Sequence, residues 1–475
     1  MKFERAFKWS ILSEVSAKLV QPVVYLILAN ILVPEDFGVM TAAMMVVAFS
    51  QIFWEAGMGK ALIQRQTHIE EAANFVFWAN LAVGILIAGC LYQFASSIAI
   101  SLFQDDRVIA VIQVMSLHVL LGAASSVQTA LLRKSMEFKK LFWVRLLTVS
   151  APGFASIPLA LNGWGYWALV AGALAGQILE LLVLWRVSPW RPTLEVAKSV
   201  SIQMGKFGGW VTLTGFLSWF YVWADTLVVG KFMGLSDLGL YRIGQQLTGI
   251  AFSLIFTSII PVIYSHFSIH QNNRVRLQLE TQQAIELGIW VAVPIGVVLY
   301  AHSHQLEHAL FGPEWIGLAT VIGLMSIRQA FASVTFINGE AYRAIGKPQY
   351  ETIVLALSLI FYVPVYWYLA QIDMRTFLFG RIGLVIVSMI AHLYLISIFL
   401  KVNLLKIFNV LLIVTTASSF TIMAVNYITK LLIGNMIVQV FVSVAVSLFG
   451  LALIFYSVEK SGLMKVVLSF ISRKS

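Results

Sequence analysis

Six ionisable side chains stand out inside the long apolar runs of this 475-residue sequence: Glu14, Lys18, Glu55, Asp225, Arg242 and Arg328. A charge held in hydrocarbon costs several kcal/mol unless it faces protein or water, so each marks a candidate ligand or ion path. Arg328 is about eleven residues from Gly317, too deep to reach either interface, and either lines a cavity or forms a structural ion pair. Asp225 is also well inside its run. Arg242 follows the turn Gly234-Leu-Ser-Asp-Leu-Gly239 by only a few residues, where snorkelling to the interface competes with a cavity role. At about 1.5 Å of rise per residue, Asp225 and Arg242 come to similar depths on neighbouring helices and are able to pair. Glu14 and Lys18 form an i,i+4 pair in the favourable order, either as an interfacial salt bridge or as part of a cavity. Glu55, in Phe53-Trp-Glu-Ala-Gly57, is deeper. Arg and Lys in a cavity suit an anionic, phosphate-like group, and buried carboxylates titrate nearer neutral pH and so suit ion coupling. Glu180, Glu340 and Arg381 are near enough to span ends to be expected in water, and His118 and His392 are expected as packing residues.

Other patterns point to chemistry that the sequence does not support. His304-Gln-Leu-Glu307-His308 fits the H-x-x-E-H zinc pattern, but it falls in a short loop with no evident third ligand. His266 and His270 have metal-like spacing at a helix end, where a solvated surface is the plainer reading. Asp105-Asp106 stands alone in a tiny loop. No phosphate-binding P-loop and no G-x-G-x-x-G occurs, so ATP hydrolysis by this chain is not expected. Trp219, Phe220, Tyr221 and Trp223 have faces suited to stacking on sugars, though helix packing accounts for them equally simply. No metal and no cofactor is expected.

The elements that must position these residues follow from composition. The chain is 59% hydrophobic and only 11% charged, with a mean hydropathy of +0.86. A soluble domain has about a quarter of its residues charged. This composition therefore predicts an all-α polytopic membrane protein. About fourteen runs are long enough to span, near 9–32, 38–63, 73–95, 108–132, 141–161, 166–186, 209–232, 239–264, 285–303, 317–341, 353–370, 378–400, 409–429 and 436–457. The net charge of +10 suggests nucleic acid at first sight, but its distribution does not. Of the 32 Lys and Arg, 24 fall on one side of this topology, 4 on the other and 4 within spans. That asymmetry orients the chain with both termini in the cytoplasm. No signal peptide is expected, and the lone Cys90 excludes an internal disulfide. The longest external loop, from His302 to Trp315, is too small to house the catalytic domain of a glycosyltransferase.

The chain also repeats itself. A shift of 201 residues places Trp9 on Trp210, Asp36-Phe37-Gly38 on Asp237-Leu238-Gly239, and Met40-Thr41 on Tyr241-Arg242. A shift of 210 places Met115-Ser-Leu-His118 on Met325-Ser-Ile-Arg328 and Arg133 on Arg343. Two six-span copies, each with an even number of spans, run in the same direction, an arrangement that typically puts a substrate cavity between the halves. The expected organisation is a six-helix lobe at 1–187, a cytoplasmic linker at 188–207, a second six-helix lobe at 208–400, and two further helices with a basic tail at 401–475.

Several stretches carry a family resemblance: Trp54-Glu-Ala-Gly-Met-Gly-Lys-Ala-Leu-Ile-Gln-Arg65, Leu131-Leu-Arg-Lys-Ser-Met-Glu-Phe-Lys-Lys140, Leu227-Val-Val-Gly-Lys-Phe-Met-Gly-Leu-Ser-Asp-Leu-Gly-Leu-Tyr241, Phe311-Gly-Pro-Glu-Trp315 and Gly346-Lys-Pro348. As an ordered series over residues 5–400 they resemble the polysaccharide transporter family (Wzx-type and colanic-acid-exporter-like members) of the multidrug/oligosaccharidyl-lipid/polysaccharide (MOP) flippase superfamily. Arg65, Glu137, Phe138, Gly239, Tyr241, Gly312 and Trp315 fall in the family's pattern as marks of fold and loop.

The resemblance implies a fourteen-helix flippase, not an enzyme, in the bacterial cytoplasmic membrane. It would carry polyprenyl-diphosphate-linked oligosaccharide to the outer leaflet for O-antigen, capsule or exopolysaccharide synthesis. Membrane lipids, and a polysaccharide polymerase with its assembly proteins, would be its partners, and nucleic acid would not. Arg328, Lys18 and Arg242 would hold the diphosphate, while Asp225, Glu55 or Glu14 would couple alternating access to an ion gradient. A cation-coupled multidrug exporter of the same superfamily is the main alternative, and it calls for an acidic cavity. A flippase for a lipid-linked peptidoglycan precursor and an integral membrane glycan ligase or glycosyltransferase are further alternatives, the last lacking a catalytic loop.

Overall fold

The computed structural model describes residues 2–432 apart from 56, 196–197 and 348, together with 438, 442–443 and 445–446. Side chains are described only in part over 2–19, 198–214 and 254–268, and not at Glu55. Within a hydrocarbon core the backbone must satisfy its own hydrogen bonds, and helices do so locally. The chain accordingly runs through α1 (Lys2–Ala29), α2 (Pro34–Glu55), α3 (Met58–Gln64), α4 (Ile69–Phe103), α5 (Arg107–Lys134), α6 (Phe138–Leu161) and α7 (Tyr166–Val187). It continues through α8 (Lys198–Phe232), α9 (Leu235–Ile269), α10 (Arg274–Ala301), α11 (Ser303–Leu310), α12 (Leu318–Val334), α13 (Asn338–Ala344), α14 (Gln349–Leu369), α15 (Met374–Leu400) and α16 (Leu404–Leu432). No strand occurs among the described residues.

Ten spans among the described residues are long and apolar enough to cross a membrane, by length and composition. Helices α1, α8 and α9, at 28, 35 and 35 residues, also exceed the roughly 20 that a crossing needs. The expected all-α polytopic class holds. Most of the last expected span, 436–457, lies outside the described residues. Large apolar side chains stand outward along the helices, among them Leu86, Phe154, Val387 and Phe420, the last 74% exposed. Such faces suit lipid and not water.

Three local features differ from the hydropathy reading. The expected 38–63 span is two helices, because Gly57 takes a left-handed conformation (φ 65°) that starts α3 on a new axis. Lys134, at the end of α5, then donates to the carbonyls of Ile63 and Arg65 and holds the last turn of α3 in place. The expected 317–341 span is interrupted at 335–337, between α12 and α13. The loop from His302 to Trp315 is largely helical: α11 fills it, and Phe311 packs on the buried Trp315 with ring centroids 5.2 Å apart. Asn74 on α4 donates to the Thr193 hydroxyl (2.6 Å) and to the Glu195 carbonyl. Trp78 donates to the Thr193 carbonyl, so the segment after α7 is tied to α4 before α8 begins at Lys198.

Residues 1–242 and residues from 243 onward form two compact units, with α9 starting in the first and continuing into the second. In the first unit, α4 packs on α5, α6 on α7, α1 on α6 and α2 on α5; in the second, α10 packs on α12 and α16, and α15 on α12 and α14. One crossing in the first unit is unusually close. A Cβ at Gly38 would overlap the carbonyl oxygen of Leu235, and a Cβ at Gly239 would overlap that of Pro34. The 201-residue shift carries Pro34 to Leu235 and Gly38 to Gly239, so the two contacts are one contact made twice. Two copies of one segment facing each other make this reciprocal pattern, and only glycine lets the backbones approach so far.

Gly38→Ala and Gly239→Ala should each destabilise the protein by about 1–3 kcal/mol, because the clash is with backbone that cannot move aside. Gly383→Ala, on α15 with open space around it, should be neutral or stabilising. Thermal unfolding in detergent separates the two classes, and equal behaviour would remove the crossing as a constraint.

Candidate functional site

Charges buried among apolar helices gather in two places, one in each unit. In the first, Asp225 of α8 is 3% exposed. Its Oδ1 accepts from the Thr226 backbone N–H (2.6 Å) and hydroxyl (3.1 Å), and its Oδ2 accepts from the Tyr241 hydroxyl at 2.6 Å. Tyr241 is fully buried on the first turns of α9. Its neighbour Arg242 lays its guanidinium over the Trp223 ring, 4.7 Å from the centroid, and lies in the electrostatic field of Asp225 and of Tyr25 on α1. Asp225 and Arg242 are therefore brought together, with Tyr241 as the hydrogen-bonding partner that spacing alone did not reveal.

Lys18 is half-buried on α1, seven residues before Tyr25 and on the same helix face, about 10 Å along the axis. The side chains of Glu14 and Glu55 lie outside the described residues, so neither is placed. Trp219 packs on Phe49 of α2 (centroids 4.9 Å apart) and Trp223 carries Arg242, so two of the four aromatics serve packing and cation contact.

The second gathering is on α12. Arg328 is half-buried, and its Nη1 donates to Gln329 at 3.2 Å. Its Nε is buried without a hydrogen-bond partner, and no carboxylate lies within ion-pair distance among the described residues. An orphan donor on a permanent charge is costly, and an anionic ligand would remove that cost.

Arg381 corrects the sequence reading. Expected in water near a span end, it is 3% exposed. Its Nε faces the Tyr366 hydroxyl (3.4 Å), its Nη1 reaches Met325 Sδ (3.6 Å), and its guanidinium lies over the Tyr366 and Phe377 rings. Position along the helix suggested snorkelling, but aromatic side chains on α14 and α15 close over the stem and turn it towards α12. Met325 is one turn before Arg328, so α12 is approached by one guanidinium and carries another. Tyr241 and Arg381 are the residues that sequence reasoning passed over. The family pattern at Tyr241 was a usable signal; for Arg381 there was none.

Several other ionisable side chains make contacts between or within helices. Glu286 of α10, 5% exposed, accepts from Lys406 of α16 (2.7 Å) and from Gln282 (2.8 Å), which fastens α16 to α10. His392 meets the Tyr342 hydroxyl at 3.2 Å, and His118 is half-buried. In His304-Gln-Leu-Glu307-His308 the two histidines are exposed, whereas Glu307 is buried and accepts from the Ala319 N–H at the start of α12. Acid and bases face different ways, and no metal-ligand cluster occurs among the described residues. His270 pairs with Glu280 (3.1 Å), while the side chain of His266 is outside the described residues. Glu340 pairs with Arg343 at 2.6 Å, and Glu180 is half-buried. Asp105 is bound by Arg107, which also reaches Glu35 at 2.6 Å. The Arg107 hydrogen bond holds the Asp105 carboxyl below its ordinary value.

Helix order, outward apolar faces and buried charges define a polytopic all-α membrane protein with the architecture of a transporter. The solved lipid II flippase MurJ, in an inward closed conformation, has the same fold: TM-score 0.73, 14% identity, covering 95% of this chain and 99% of that one. An inward-facing multidrug resistance MATE family transporter of the MOP superfamily superposes with a TM-score of 0.62 at 12% identity, covering 82% and 98%. Residues 27–320 match the family model for polysaccharide biosynthesis proteins, and the chain belongs to that family. It is similar to the succinoglycan biosynthesis transport protein ExoT of Rhizobium meliloti, 26% identical over 319 residues, 67% of this chain. The match spans 64% of that relative's length, just under two thirds. It is also similar to the lipopolysaccharide biosynthesis protein WzxC of Escherichia coli (21% identity, 69% of this chain and 67% of that one) and to the teichuronic acid biosynthesis protein TuaB of Bacillus subtilis (20%, 79% and 80%).

Tyr241→Phe removes the 2.6 Å bond to a buried carboxylate and should destabilise the protein by about 1–3 kcal/mol, read by thermal unfolding. For Arg107→Gln the expected loss at neutral pH is below about 1 kcal/mol, because the partners are partly exposed. The Asp105 value is lowered in the fold, so wild type gains its advantage above about pH 4 and loses it as the pH falls through the depressed value. A gap between variant and wild type that widens in acid would contradict this.

Proposed function

We propose that this protein is a flippase for polyprenyl-diphosphate-linked oligosaccharide repeat units, serving surface polysaccharide synthesis. Membership of the polysaccharide biosynthesis family and relatives named for succinoglycan transport and lipopolysaccharide synthesis support the reading. The observation that carries it is Arg328: a guanidinium inside an apolar helix with a buried donor left unpaired among the described residues. A diphosphate crossing the membrane needs such a cation, since its own desolvation is otherwise prohibitive. Lys18 and Arg242 are proposed to share that task, and Asp225, with Glu55 or Glu14, to couple the cycle to an ion gradient. The chain then acts by alternating access and not as an enzyme. It works with both termini in the cytoplasm of a bacterial cell, through six-helix lobes at 1–187 and 208–400 joined by 188–207, with 401–475 appended. A polymerase and its assembly proteins are the proposed receivers of the cargo.

A strain lacking the gene, with the upstream glycan pathway intact, should accumulate complete lipid-linked repeat units that glycosidase cannot reach from outside. Complementation by the wild-type gene should relieve the block. At matched expression, Arg328→Ala should lower translocation at least about tenfold, and Arg328→Lys, which keeps the charge but loses the planar fork, should fall between. Wild-type rates in both variants would remove Arg328 from the site. Lipid-linked units that reach the outer leaflet unpolymerised would place the defect downstream instead.

A further inference from the structure

Helices α6 and α7 leave a groove of about 620 Å³ on the outer face of the first unit. Leu147 and Phe154 of α6 and Ile178 and Leu182 of α7, all of them exposed, line it together with the small side chains of Ala151 and Ala155. The lining is almost wholly apolar, and the size is within the range of about 300–1,000 Å³ that holds a drug-sized molecule. Along α6 the lining covers eight residues of rise, about 12 Å.

One end of the groove is basic. Arg186, at the end of α7 and one turn beyond Leu182 on the same face, is exposed, as are Lys139 and Lys140 at the start of α6, with Lys140 two turns before Leu147 on the lining face. Glu137, ahead of α6, pairs with Lys140 at 3.8 Å and Lys139 lies over the Trp9 ring, which leaves an excess of cations at this end. An apolar trough that runs into a cluster of cations is complementary to a lipid with a strongly anionic head.

We propose that this groove seats the polyprenyl tail of the cargo, with its phosphates against the basic end formed by Lys139, Lys140 and Arg186. The inference rests on the flippase reading above and adds to it a docking site apart from the buried charges. Tail atoms gain no hydrophobic energy by leaving lipid for a groove that is just as apolar, so shape and charge must discriminate. Shape favours an isoprenoid: the small side chains of Ala151, Ala155 and Ala175 in the lining leave room for the methyl branches that a straight acyl chain lacks. Charge favours a diphosphate over the single phosphate of a phospholipid at a site with an excess of cations.

The test uses the full chain in phosphatidylcholine nanodiscs, with bare polyprenyl diphosphate as the probe and native mass spectrometry as the readout. Wild type should retain the probe, and phosphatidylglycerol should compete weakly. Ala155→Phe, which fills the groove, and the double variant Lys140→Gln/Arg186→Gln should each weaken retention about tenfold. Ala151→Leu serves as a milder filling variant, and Val387→Phe, on an exposed face of α15, should bind as wild type. Unfolding temperatures matched to wild type confirm that the variants are folded. Undiminished retention in both filling variants would overturn the proposal, as would displacement by phosphatidylglycerol as effective as that by unlabelled probe, which marks a general phospholipid site. Translocation of the glycan-bearing lipid by the same proteins reconstituted into sealed liposomes separates the two readings. Filled variants that bind the probe normally, beside a wild type that translocates, would sink the groove alone, whereas a wild type that does not translocate would sink the flippase.

Discussion

The contact on which the first unit depends is backbone against backbone. Gly38 meets the Leu235 carbonyl and Gly239 meets the Pro34 carbonyl, and no side chain fits between them. That approach sets α9 against α2 at its first turns, immediately before Tyr241 and Arg242. The distance from Gly239 to Tyr241 is two residues, so the crossing also determines where the Tyr241 hydroxyl points. It points at Asp225. A charge network is thus held in register by a contact that has no charge in it.

The two gatherings of charge differ in kind. Asp225 has acceptors filled by Thr226 and Tyr241, and Arg242 rests on an aromatic face; both sites are arranged to make a buried charge tolerable. Arg328 is not provided for in the same way, since its Nε is buried without a partner among the described residues. A satisfied buried network rigidifies, whereas an incomplete one favours whatever completes it. The first arrangement suits a residue whose proton or ion occupancy switches a local structure, and the second suits a residue that waits for an anion. Arg381, caged by Tyr366 and Phe377 and touching Met325, steadies α12 from the side.

Helix α16 is joined to α10 by polar chemistry. Glu286, Gln282, Lys406 and the backbone of Asn403 form a connected set between α10 and α16, and His302 binds Asn426 of α16 at 2.8 Å. In hydrocarbon, apolar faces alone give helices little reason to choose one neighbour over another, so buried polar links of this sort carry the specificity.

The sequence by itself determined the class. A chain with this hydropathy and so few charges has to solve its backbone hydrogen bonding with helices, and each apolar run was long enough to say where. The Asp-x-Gly pattern that recurs after a 201-residue shift was legible because it is short-range, and its two glycines meet the Leu235 and Pro34 carbonyls in the fold. The intramembrane charges were legible too, since each is an anomaly in its own run. What the linear pattern could not decide was direction. Helical periodicity leaves open which neighbour a side chain faces, so Arg381 read as solvated although α14 and α15 close over it, and Tyr241 read as a family mark although it holds Asp225. The break at Gly57 was equally hidden, because hydropathy averages over a kink that a single left-handed residue makes. Length and polarity are properties of the chain, whereas partners belong to surfaces that exist only once helices have packed.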